Sequence, residues 1–137
     1  MDEKRLESVP LFAGLGKKER RVLATRTDRI DCPEGKRLAR EGAFAYEFFV
    51  ITEGTVEVTH GSEHVADLGP GDFFGEIGVL GSVRRNATVT ATSPIEVIVM
   101  TDSALRALNR EEPEVAQRLK KAIEERLPQS GAAPLAD

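Results

Sequence analysis

Glu47-Phe48-Phe49-Val50-Ile51-Thr52-Glu53-Gly54-Thr55-Val56-Glu57-Val58-Thr59-His60 reads as a pair of short strands about a Glu53-Gly54 turn, a compact hairpin signal. In its second half Val56 and Val58 alternate with Thr55, Glu57 and Thr59, the two-residue period of a strand with one buried face and one wet face. The same signal spreads in both directions. Upstream, residues 28–32 and 37–40 flank a Pro33-Glu34-Gly35 turn, a second hairpin signal. Downstream, a hairpin turns at Gly61-Ser62, and Val65 and Leu68 carry the pattern to Gly69-Pro70-Gly71. Residues 86–91 and 95–100 then flank Thr92-Ser93-Pro94. About eight short strands at this spacing predict a closed or double-sheet antiparallel β architecture, a jelly roll or small barrel.

Helical patterns flank the strands. Residues 3–9 make one or two helical turns, Pro10, Leu11, Phe12 and Leu15 supply apolar anchors, and Gly16 breaks the run before a short helix at 17–24. The Lys17, Lys18, Arg20, Arg21 cluster on that helix is read as a solvated basic face, because no aromatic is interleaved with the charges. After Thr101, either Asp102 or Ser103 can cap a helix carrying Leu105 and Leu108. Pro113 suits the first position of a second helix, whose Val115, Leu119, Ala122 or Ile123, and Leu127 recur at three-to-four spacing. Pro128 is expected to end it. The expected organisation is one domain over residues 1–127, with 128–137 as a disordered tail.

Composition narrows the function. A chain of 137 residues holds one ordinary domain, and a net charge of -4 argues against nucleic acid as a partner. The N-terminus lacks an apolar signal core, and no window approaches the roughly 18 apolar residues of a membrane span, so a cytoplasmic location is expected. Cys32 has no second cysteine to pair with and is read as structural.

Residues 71–89 carry the chemistry. Gly75 lets a ligand approach the backbone closely, and amides opening a short helix after it favour an anion. Arg85 adds a fork of charged donors suited to a singly charged phosphodiester. Glu76 would repel a bare phosphate, and makes sense as the acceptor of a hydrogen bond from a neighbouring sugar hydroxyl. Together these groups describe a ribose bearing a cyclic phosphate. His60 and His64 straddle the Gly61-Ser62 turn and could face one another as metal ligands of a cupin-like enzyme. With no third histidine or carboxylate set they are read as surface residues, and no metal site is assigned.

The run Gly71-Asp72-Phe73-Phe74-Gly75-Glu76-Ile77, followed nine residues after the acid by Arg85-Asn86-Ala87-Thr88-Val89, resembles the phosphate-binding cassette of the cyclic nucleotide-binding domain family. That family includes the bacterial catabolite activator protein, protein kinase A regulatory subunits and cyclic nucleotide-gated channels. Pro10-Leu11-Phe12 with Leu15, the Glu53-Gly54 turn and the last two helices extend the resemblance over nearly the whole chain. It implies an eight-stranded β-roll with an N-terminal helical segment and two C-terminal helices. It also implies roles: Glu76 on the ribose 2′-hydroxyl, the backbone at Gly75 and Ile77 on the sugar and phosphate, Arg85 on the cyclic phosphate and Ala87 against it, with Phe74 and Asn86 completing the ligand-binding set. Arg84 stands where the family often has proline, and Gly78 where it often has alanine. Asn86 both donates and accepts, which leaves the choice between cAMP and cGMP open, with cAMP placed first.

The reading is a non-enzymatic receptor without a prosthetic group, in which the last helix folds over the base. Ile123, Arg126 and Leu127 are the capping candidates, lying on or beside the apolar stripe. After Leu127 there is no length for an output domain, so the signal is expected to pass to a protein effector or through self-association along the last helix. A β-roll that serves protein interaction without ligand is the alternative.

Overall fold

The computed structural model describes residues 2–42, 47–75 and 87–130, with side chains of the last helix described to Glu125. Three N-terminal helices, α1 (Glu3–Glu7), α2 (Pro10–Ala13) and α3 (Lys17–Ala24), lead into strands β1 (Asp28–Cys32), β2 (Arg37–Ala39), β3 (Glu47–Glu53), β4 (Val56–His60), β5 (Glu63–Leu68), β6 (Phe73–Phe74), β7 (Thr88–Ala91) and β8 (Ile95–Thr101). Helices α4 (Asp102–Glu111) and α5 (Pro113–Ser130) follow. The strands form two four-stranded antiparallel sheets, one ordered β1-β8-β3-β6 and the other β2-β7-β4-β5. This is the mainly β roll with flanking helices that the sequence predicts.

The hairpin expected at Glu53-Gly54 does not form, because β3 pairs with β8 and β6 while β4 pairs with β5 and β7. Gly54 is instead a corner where the chain leaves one sheet for the other. Its φ is +87°, and a Cβ there would collide with the Pro94 carbonyl oxygen and lie 2.9 Å from the Ile95 Cα. The Thr92-Ser93-Pro94 turn is the matching corner between β7 and β8. The two corners are bonded together: the Thr55 N–H donates to Ser93 Oγ at 3.1 Å, the Thr92 N–H donates to the Thr55 carbonyl at 3.0 Å, and the Thr55 and Thr92 hydroxyls lie 2.8 Å apart. Pro33-Glu34-Gly35 is likewise a corner, since β1 pairs with β8 and β2 with β7. The hairpin at Gly61-Ser62 does form, with His60 opposite Glu63 and Val56 opposite Leu68.

The alternation of each strand builds two cores on either side of one sheet. From β3, Phe49 and Ile51 point into the roll, where Val56, Val58, Leu68, Val89, Val97 and Val99 meet them. Phe48 and Val50 point the other way, joining Phe73, Ile98 and Met100 beneath the helices. The helices complete that second core with Leu6, Leu11, Phe12, Leu23, Leu108, Leu119 and Ile123, each 2% exposed or less. Each such side chain contributes about 1.5 to 3 kcal/mol by leaving water. The described part of the α5 apolar stripe, Val115, Ala116, Leu119 and Ile123, packs against the body of the protein.

Two helix ends differ from expectation. The α4 cap is Thr101, whose hydroxyl accepts from the Ala104 N–H at 3.1 Å, rather than Asp102 or Ser103, which lie inside the helix. The last helix runs through Pro128 to Ser130. Proline fixes a φ that a helix accepts and forfeits one amide bond, a cost that matters less beside a terminus.

Candidate functional site

The described part of the site begins at a turn tied to β3. The Gly71 N–H donates to the Ile51 carbonyl at 2.8 Å, the Ile51 N–H donates to the Asp72 carbonyl at 2.9 Å, and the Asp72 carboxylate accepts from the Gly69 N–H at 2.9 Å. This fixes β6, where Phe74 stands opposite Phe49 and Phe73 opposite Val50. Phe74 stacks on Phe49 with ring centroids 4.8 Å apart, inside the roll, while Phe73 tilts against Phe48 at 5.8 Å on the helical side. Gly75 follows at a φ of +84°, a conformation that favours glycine.

Glu76, Ile77, Arg85 and Asn86 lie outside the described residues. The chain is described again at Ala87, 3% exposed and part of the same buried cluster as Phe74. The segment bearing the predicted acid and arginine is thus bracketed by two anchors in one core. Thr88 and Val89 continue β7, opposite Thr59 and Val58 of β4.

Beside the second anchor stands a residue the sequence did not single out. The Glu41 N–H donates to Thr88 Oγ1 at 3.1 Å, and the Glu41 carboxylate accepts from the Gly61 N–H at 2.6 Å, with His60 Nδ1 at 3.7 Å. Glu41 precedes a glycine in a loop, and no local pattern announces partners twenty and forty-seven residues away.

Of the capping candidates, Ile123 is 1% exposed within the helical core, and the side chains of Arg126 and Leu127 lie outside those described. The two histidines do not face one another. Thr59 opposes His64 and His60 opposes Glu63, so the histidines occupy adjacent rungs that point to opposite faces. His64 bonds Glu57 at 2.7 Å, and that bond, reinforced by the charge of Asp67, raises its pKa above the ordinary histidine value. Among the described residues no three His, Cys, Asp or Glu side chains are grouped to hold a metal. Burial pushes the Cys32 thiol pKa up, against the lowering influence of Lys36.

A two-sheet roll with helices packed on one wall, whose β6 ends at Gly75 and whose β7 follows a buried Ala87, defines the class by its fold: an antiparallel β-roll with flanking helices. The family profile of the cyclic nucleotide-binding domain matches residues 29–112, and this chain belongs to that family. It is 32% identical over 120 residues to a cyclic nucleotide-gated potassium channel of Rhizobium etli, covering 87% of this chain and 33% of the channel. It is 34% identical over 115 residues to a cAMP-dependent protein kinase regulatory subunit of Mycosarcoma maydis, covering 77% of this chain and 22% of the subunit. The chain thus spans a third or less of the length of these relatives. The crystal structure of a protein from Geobacter metallireducens shares the fold at a TM-score of 0.84 and 22% identity, over 95% of this chain and 98% of that one. No described helix is long and apolar enough to cross a membrane.

Proposed function

We propose that the chain is a non-enzymatic receptor for a purine cyclic nucleotide, cAMP first and cGMP second, held by Glu76 at the ribose and Arg85 at the phosphate. The observation that carries this reading is the bracketing of residues 76–86 between Phe74 and Ala87, both members of one buried cluster, in a chain of this family. Backbone at Gly75 and Ile77 and the contact of Ala87 complete the phosphate and sugar cradle, and Asn86 bears on the choice of base.

The output is a shift in the position of α5. Ligand biases that helix only by its differential affinity for two arrangements. With Leu119 and Ile123 held in the helical core, capping by Ile123 would require that core to open, which favours Arg126 and Leu127 over Ile123 as the cap. The guanidinium of Arg126 suits stacking on a purine. The relatives point to a kinase or a channel as the kind of effector that reads the shift.

Calorimetric titration with cAMP and cGMP tests the reading. Wild-type protein binds at least one of them, and Arg85→Ala weakens binding by roughly 1.5 to 3 kcal/mol, the value of a charge-assisted hydrogen bond. Absence of binding by wild-type protein at millimolar nucleotide would overturn it.

A further inference from the structure

Among the described residues the ladder around β7 stops short of Ala87. On one side β2 reaches Ala39, opposite Val89, and goes no further; on the other, the last rung with β4 joins Thr88 to Thr59. Among the described residues, therefore, no ladder rung holds the start of β7, where the chain leaves the candidate phosphate segment, on its β2 side. Glu41 fills that gap. Its N–H takes Thr88 Oγ1 at 3.1 Å, and its carboxylate takes the Gly61 N–H at 2.6 Å in the turn between β4 and β5. One residue thus straps the ends of β2, β7 and β4 across the outer side of the sheet. Because β7 alternates, with Ala87, Val89 and Ala91 buried and Thr88 and Thr90 half-buried, fixing Thr88 from outside fixes the inward presentation of Ala87.

We propose that Glu41 is a positioning residue for the ligand site, acting through Thr88 on the depth and orientation of Ala87 and the backbone beside it. The proposal rests on the cyclic nucleotide reading of that site. Its two halves are separable: Thr88→Val removes the acceptor for the Glu41 N–H, and Glu41→Ala removes the acceptor for the Gly61 N–H. A strap transmits only when both ends are fastened, so the two losses overlap rather than add.

The experiment is a double-mutant cycle read by calorimetric titration of cAMP and cGMP, at a temperature where melts show every variant folded. Glu41→Ala and Thr88→Val each weaken binding roughly tenfold, the scale of one hydrogen bond. The double variant binds no worse than about twofold below the weaker single variant. Glu41→Gln and Thr88→Ser, which keep an acceptor in place, stay within about twofold of wild type. Single variants that bind like wild type, or losses that multiply in the double variant, overturn the strap while leaving the receptor reading intact. Wild-type protein that binds neither nucleotide overturns the receptor reading, and the strap proposal with it.

Discussion

Gly54 shows how one residue decides between two topologies. Glu53-Gly54 between strand patterns is a fair hairpin signal, and its physical content, a backbone turn needing a positive φ, is correct. What the signal lacks is the direction in which the chain leaves the turn. That is set by the Pro94-Ile95 backbone packed against the glycine, a contact between positions some forty residues apart. Gly54→Ala therefore meets two penalties at once, a left-handed φ and a Cβ inside the opposite corner. A loss of at least about 2 kcal/mol is expected in urea unfolding, with the folded topology unchanged. A variant as stable as wild type would contradict the corner geometry. Gly75 is different. Its bare backbone before Glu76 was legible from the motif, whereas its positive φ and the Glu41 contact beside Ala87 depend on the sheets being assembled.

Elements are joined by charge as well as by packing, and Glu96 is the clearest case. It lies on β8, 8% exposed on the helical side of the sheet, bonded to Arg5 of α1 at 2.7 Å, to Arg29 of β1 at 3.3 Å and to the Thr52 hydroxyl at 3.0 Å. Burial by itself would raise its pKa. The hydrogen bonds from Thr52 and Arg5 and the charges of both arginines outweigh that and hold it below the usual glutamate value. Because the folded pKa is depressed, the stabilisation is fully present above the unfolded value of about 4.3 and is lost as pH falls from there through the folded value. Melting temperature should thus decline on acidification through that window, and Glu96→Gln should flatten the decline while lowering stability at neutral pH by roughly 1 to 2 kcal/mol. An unchanged acid profile in the variant would show that Glu96 does not fasten α1. Sequence reading located α1, α3 and the α5 stripe from periodicity, but an acid at an otherwise apolar strand position gives no hint of an arginine ninety-one residues earlier. Thr101 escaped notice for a simpler reason: threonine, aspartate and serine in succession are all competent caps, and only the path of β8 into α4 selects one.

At the scale of the whole molecule, the sheet β1-β8-β3-β6 is a shared wall with a core on each face, so neither core can exist without the other's boundary. Phe73 and Phe74 make this explicit, since adjacent residues of one two-residue strand are both fully buried in different cores. The same strand runs into Gly75, which makes that end of the roll mechanically continuous with the helical layer; under the proposed receptor reading, this is the path from ligand to helices. Two cores built on one wall should unfold together. Phe73→Ala and Phe74→Ala are each expected to cost about 3 to 5 kcal/mol, although they empty different cores. Hydrogen exchange across a urea series should release α3 and α4 at the same denaturant concentration as β4 and β7 in wild type and in both variants. Were Phe73→Ala to free α3 and α4 well before β4 and β7, the wall would be divisible, and the proposed signal from the ligand to the helices would need a different path from the one through β6.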